Sequence, residues 1–220
     1  MNDLLSNILI QPKVITKENC EWLVNYAKNA HQEQMGVFDA EKTMKSNETQ
    51  SKIDKKSRDV KCADIEPIMP QIYDLMKNSI DHVINPFYGF KVRDSESPQL
   101  LCYGQGGHYR PHIDAEGQWK NPDGSVIWKK TIDRDLSTVL FLNDDFEGGY
   151  FSFPDLRIKI KPEPGLLVTF PSSRWYKHCV EPVISGHRYT LVTWMRVQGF
   201  KTKEEQDREI EEKYGITIPK

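Results

Sequence analysis

Long apolar runs are missing from this 220-residue sequence. The longest mostly apolar stretch, "GLLVTF" at 165–170, falls far short of the roughly 20 residues a membrane helix needs. The N-terminus, "MNDLLSNILIQPK", has neither a basic region nor a long apolar run, so no leader is expected there. One-sided charge is missing as well. Charged residues make up 28% of the chain, yet the net charge is −2, which leaves no global field to attract nucleic acid or an anionic membrane. Cysteine is scarce: Cys20, Cys62, Cys102 and Cys179 lie far apart and form no C-x-x-C pair. Buried or free thiols in a reducing compartment are expected, not a zinc knuckle. Internal repeats and low-complexity linkers are also absent. These absences describe a cytoplasmic protein with no nucleic-acid or membrane partner.

What is present divides into three parts. Residues 16–30, "TKENCEWLVNYAKNA", read as an amphipathic helix capped by Thr16, with Trp22, Leu23, Tyr26 and Ala27 on one face. Residues 31–62 are polar and lysine-rich, and read as a solvated loop, with a lid over a site as the alternative. A second helix is expected at about 64–84, its regular part confined by Pro67 and Pro70 to the later turns. From residue 87 the apolar period changes to two. "FYGFKV", "QLLCYG", "HYRPHID", "LSTVLFLN", "GYFSF", "LRIKIK", "GLLVTF" and "RYTLVTWMRV" are short strands with no helices between them. The predicted fold is mainly β with flanking helices (α+β), a jelly-roll core supported by N-terminal helices. One domain is expected over 1–220: a helical flank and polar loop to about 86, the jelly roll at about 87–198, and a charged helix at about 201–215 packed outside.

On a strand, "HYRPHID" sends His112 and Asp114 to the same face. His178, near the start of a late strand, can join them, because a jelly roll places distant strands side by side. Two imidazoles and one carboxylate leave three coordination positions open, the arrangement of a non-haem Fe(II) oxygenase. His31 and His82 read as ordinary surface or structural residues, His108 lies nearer the rim, and His187 points the other way. Ten residues after His178 comes Arg188. A guanidinium inside an apolar barrel is costly unless it meets an anion, and its fork matches a carboxylate. The distal carboxylate of 2-oxoglutarate is such an anion. Zinc at the same ligands, or a jelly roll that binds without catalysis, remain as alternatives; neither explains an arginine at this spacing.

The order H-x-D, "LSTVLFLN…FEGGYFSFP", P-x-x-G-x-L-x-x-F, then H-x-V-x-P-V-x-x-G-x-R-Y-x-L-x-x-W resembles the prolyl 4-hydroxylase branch of the Fe(II)/2-oxoglutarate dioxygenases. The resemblance runs from about 98 to 198, and "SKIDKKSRDVK" resembles the segment before that family's long helix. It implies a double-stranded β-helix in which His112, Asp114 and His178 bind Fe(II). It also implies that Arg188 and Tyr103 bind 2-oxoglutarate and that Tyr109, Arg134 and Trp194 lie along the substrate channel. O2 is then the other cosubstrate, ascorbate a reductant, and succinate and CO2 the co-products. Phe141 stands where a tyrosine that assists cosubstrate binding is often found, and Phe151 replaces a smaller residue beside the cosubstrate. An intact Asp114 favours hydroxylation over halogenation.

The substrate is less defined. "AEGQWKNPDGSVIWKKTID", between Asp114 and Arg134, is too long for a simple hairpin, and a loop of this length is often functional. The implied reaction is hydroxylation of a prolyl residue in a peptide or protein. Another protein side chain or a small molecule is the alternative.

Overall fold

The computed structural model describes residues 2–38 and 51–218. Two antiparallel sheets face each other. The larger runs in the order Leu9–Gln11, Leu167–Pro171, Leu136–Phe141, Arg188–Val197, Gln99–Tyr103, Lys61–Ala63, Gln32–Gln34, and Val92–Ser95 pairs with the far half of Arg188–Val197. The smaller runs Ile158–Ile160, Phe151–Phe153, His178–Val180, His108–His112, Arg58–Asp59. This is the expected jelly-roll sandwich.

Strand alternation explains why the central strands are apolar on both faces. In Arg188–Val197, Tyr189, Leu191, Met195 and Val197 pack outward into a core shared with the helices, while Val192 and Trp194 face the space between the sheets. Leu136 and Leu140 likewise face the helices, and Val139 and Phe141 face inward. The first helix, Lys17–Asn29, contributes Leu23 and Ala27 to the outer core, and Thr16 caps it by accepting from the Asn19 N–H at 3.2 Å. Burying Leu23, fully removed from solvent, contributes about 1.5–3 kcal/mol. Among the described residues no helix is long and apolar enough to cross a membrane.

Three expectations need correcting. The second helix does not stop at 84. It begins as a 3-10 turn, Glu66–Ile68, continues as α-helix over Met69–Ser79, widens to a π-turn over Ile80–Ile84 and resumes over Asn85–Tyr88. Pro86 has no N–H for a regular ladder, and its ring would crowd the carbonyl four residues back; the wider turn relieves that clash. Phe87 and Tyr88 are therefore helical, Gly89 ends the helix at φ 71°, and the strand expected at 87–92 is instead Val92–Ser95.

The polar 31–62 segment is not simply a solvated loop. Gln32–Gln34 and Lys61–Ala63 close one edge of the larger sheet, and Arg58–Asp59 closes an edge of the smaller. Edge strands tolerate polar side chains because one side meets water, and buried Val60 and Ala63 anchor this one. The lid expectation falls partly on residues 39–50, which lie outside the described residues.

Residues 115–133 do form a hairpin. Glu116–Lys120 pairs with Val126–Lys130, and the turn is closed by the Asn121 N–H donating to the Ser125 carbonyl. The C-terminal helix, Lys203–Tyr214, packs on the outside against this hairpin. Its Asp207 is buried against Lys129 of the hairpin, with Lys203 completing the contact at 2.6 Å.

Candidate metal centre

His112 ends the inner strand of the smaller sheet and lies directly opposite His178 in the register. Their rings are 4.2 Å apart between centroids. Asp114 completes the group: its Oδ1 is 3.5 Å from His112 Nε2 and its Oδ2 is 3.4 Å from His178 Nε2. One ligating atom from each residue fits within 4.8 Å of the others, and among the described residues no other such group occurs. The strand itself stops at His112, and Asp114 occupies the bend that follows. Alternation along a strand therefore does not hold it; hydrogen bonds do. Ser137 donates to Asp114 Oδ2 at 2.7 Å, and Arg134 Nη1 donates to the Asp114 carbonyl at 3.2 Å.

The donor set suits a divalent transition metal. His112 Nδ1 lies 2.8 Å from the Arg110 carbonyl and His178 Nδ1 lies 3.0 Å from the Tyr176 carbonyl. A carbonyl only accepts, so both protons sit on Nδ1 and both Nε2 lone pairs point at Asp114. Burial, then the neighbouring His178, holds His112 well below the usual imidazole range. For Asp114, burial opposes the charged form, but His178, His112 and Ser137 outweigh it and keep its carboxyl below the usual range. These surroundings thus favour a neutral His112 beside an ionised Asp114, and a metal requires its imidazole and carboxylate ligands unprotonated.

His178 is also enclosed by aromatic rings: Phe170, Phe151 and Phe153 lie 4.7, 5.3 and 6.1 Å from it. Tyr109 stacks on His112 at 3.6 Å, and the Arg58 guanidinium lies 4.7 Å from the Tyr109 ring centre. A cavity joins these groups to Arg188, passing Tyr103, Thr138, Thr190, Val192 and Trp194.

Arg188 is the unusual member. It is 1% exposed, lies 4.8 Å over the Tyr103 ring and 5.2 Å over Phe141, and has no ion-pair partner among the described residues. Its Nη1 makes a long contact of 3.5 Å with Thr190 Oγ1, while Nε and Nη2 find no hydrogen-bond partner among the described residues. Burial pushes this guanidinium down to about 10, still cationic at neutral pH. A buried fork with vacant donors in the cavity of a His-Asp-His group fits a small dicarboxylate lying between the two.

Of the residues expected along a substrate channel, Tyr109 and Trp194 line the cavity. Arg134 does not. Its Nε and Nη2 grip Glu96 at 2.6 and 2.7 Å, and its guanidinium stacks 3.7 Å over Trp194. Sequence reasoning missed Arg58, Glu96, Ser137 and Ser172. Ser137 left a trace, being the polar residue on the inward parity of Val139 and Phe141; the others left none.

Comparison with known proteins follows the same residues. The family model described as the 2OG-Fe(II) oxygenase superfamily matches residues 98–196. Prolyl 3-hydroxylase 2 of Rattus norvegicus is 31% identical over 124 residues, covering 48% of this chain and 18% of that protein. Prolyl 4-hydroxylase subunit alpha-1 of Gallus gallus is 29% identical over 125 residues, 53% of this chain and 23% of that protein. This chain thus spans about a fifth of each curated relative. Among solved structures, the prolyl hydroxylase of Trichoplax adhaerens, in complex with a hypoxia inducible factor oxygen degradation domain peptide fragment, superimposes with a TM-score of 0.58. The identity is 16%, over 93% of this chain and 88% of that one. Fold, ligand group and sequence agree: over residues 98–196 this chain matches the 2OG-Fe(II) oxygenase superfamily and is similar to prolyl hydroxylases.

Proposed function

We propose that the chain catalyses Fe(II)- and 2-oxoglutarate-dependent hydroxylation of a prolyl residue in a peptide or protein. The observation that carries this reading is the buried fork of Arg188, with Nε and Nη2 unused, in the same cavity as His112, Asp114 and His178. His112, Asp114 and His178 would hold the iron, and Arg188, with Tyr103 beside it, would hold the far carboxylate of 2-oxoglutarate. Bound iron with 2-oxoglutarate supplies insertion of one atom of O2 into a C–H bond, the other atom entering succinate as CO2 is lost. The protein's share is placement and exclusion of water. The Phe151, Phe153 and Phe170 rings keep solvent from His178. Tyr109 and Trp194 form apolar walls on which a pyrrolidine ring can rest, and Arg134, engaged by Glu96, would act by positioning Asp114 and Trp194 instead of gripping substrate.

The prolyl substrate is supported by the relatives, which are prolyl 3- and 4-hydroxylases, and by a structural neighbour solved with a peptide. The four free cysteines support a reducing, cytoplasmic setting. The test is succinate release from 2-oxoglutarate with anaerobically loaded Fe(II) and ascorbate, with and without proline-containing peptides, paired with mass spectrometry. Peptide-stimulated turnover and a proline heavier by one oxygen are expected, and fragmentation of the product assigns the 3- or 4-carbon. Turnover with every peptide unmodified would move the reading to another side chain or a small molecule.

A further inference from the structure

Behind Asp114 lies a second buried hydroxyl. Ser137 Oγ is 2.7 Å from Asp114 Oδ2 and 2.8 Å from Ser172 Oγ. Both serines are 2% exposed. We infer that Ser172 and Ser137 are positioning residues that form a one-way hydrogen-bond chain fixing the plane of the Asp114 carboxylate. The inference rests on the metal-site reading above.

The direction of the chain follows from valence. A metal-binding carboxylate carries no proton and can only accept, so Ser137 must spend its one proton on Asp114 Oδ2. The Ser172–Ser137 contact then has one arrangement left: Ser172 donates and Ser137 accepts. Accepting from Ser172 polarises the Ser137 hydroxyl and strengthens its own donation. Oδ2 is thereby occupied, and Oδ1, on the His112 side, keeps its lone pairs free for a metal. Because no strand holds Asp114, the plane of its carboxylate depends on side-chain hydrogen bonds, from Ser137 and from Trp194.

Ser172 also reaches Asp114 through the backbone. Its carbonyl accepts from the N–H of Ala115 at 3.1 Å, and its own N–H donates to the Asp135 carbonyl at 2.9 Å. One residue therefore anchors both the chain just after Asp114 and, through Ser137, its side chain. The register places Ser137 opposite Phe170 and Trp194, on the two strands beside its own, so the hydroxyl is carried by the most enclosed part of the larger sheet. Partners that orient a ligand in this way are typically worth about 10–100-fold in metal affinity.

The test uses Co(II) on the full chain, with affinity read by chelator competition and geometry read from its visible spectrum. Melting of the metal-free variants reports folding. Ser137→Ala is expected to weaken Co(II) by about 10–100-fold and alter the spectrum, whereas Ser137→Thr, which keeps the hydroxyl, restores both. Ser172→Ala is expected to weaken binding less, and to add nothing in the Ser137→Ala background, since it acts only through Ser137. Unchanged affinity and spectrum in a folded Ser137→Ala, or full additivity of the two changes, would overturn the chain. If Ser137→Ala does not fold, Ser172→Ala against Ser172→Thr carries the same comparison, and equal affinities overturn it. Failure of the unaltered protein to bind Co(II) would instead sink the metal-site reading.

Discussion

The two ends of the central cavity solve opposite problems. At one end, two backbone carbonyls and a serine hydroxyl hold His112, His178 and Asp114, which turn Nε2 and carboxylate acceptors towards one another. At the other, Arg188 is equally buried but leaves Nε and Nη2 unused. The first end gathers acceptors and gains a cation. The second is incomplete as folded and gains stability only when an anion arrives. Burial alone therefore does not mark a binding group; unmet hydrogen-bonding capacity does.

Opposite consequences follow for substitution at the two ends. The largest effect is expected for Asp114→Ala, which removes a ligand and strands the Ser137 hydroxyl. Co(II) affinity should fall beyond the 10–100-fold typical of orienting partners, and the metal-free protein should lose about 1–3 kcal/mol in urea unfolding. Arg188→Met should show the reverse sign on stability. Removing a charge with no partner should leave the metal-free protein as stable or up to about 2 kcal/mol more stable. The rise in Tm that 2-oxoglutarate gives the metal-loaded protein should vanish. If Arg188→Met is strongly destabilised without ligand, the contrast between the two ends is wrong.

A smaller effect concerns pH. His112 titrates lower in the folded protein than its ordinary 6.5, because of burial and His178. Below 6.5 the unfolded chain therefore takes up a proton that the folded one refuses, and stability falls as pH is lowered through that window. The expected slope is up to about 1.4 kcal/mol per pH unit for this one group. The depressed carboxyl of Asp114 adds its own loss only below about 3.8. Urea unfolding of metal-free protein between pH 7 and 5 should show the first decline, and His112→Gln should flatten it.

Sequence reading succeeded where one physical pattern dominates. Leu23 and Ala27 declared a helix face and the apolar strands declared a sandwich, and His112, Asp114, His178 and Arg188, grouped by spacing and chemical type, do meet around one cavity. It failed where local pattern is silent. Gln32–Gln34 and Arg58–Asp59 are polar because they are edges, which hydropathy cannot tell from a loop. Phe87 and Tyr88 look like strand residues, and only the π-turn ahead of Pro86 keeps them helical. Glu96 with Arg134, and Ser172 with Ser137, are pairings between residues distant in sequence that no local window contains. Even Asp114 reached its place by a different route, through hydrogen bonds in a bend beyond the strand end.

The register that sets His178 opposite His112 has a consequence for how the chain folds. The ligands come from segments far apart in sequence, so no short fragment of the unfolded chain presents the group, and the loop between them must close before two imidazoles meet. A divalent ion then has affinity for the native state and little for the denatured one. By mass action a hundredfold excess over its dissociation constant would add about 2.7 kcal/mol to the folding free energy. Refolding followed through the spectrum of bound Co(II) would time the closure of the smaller sheet, making the ion a clock for the last strand pairing as well as a reagent.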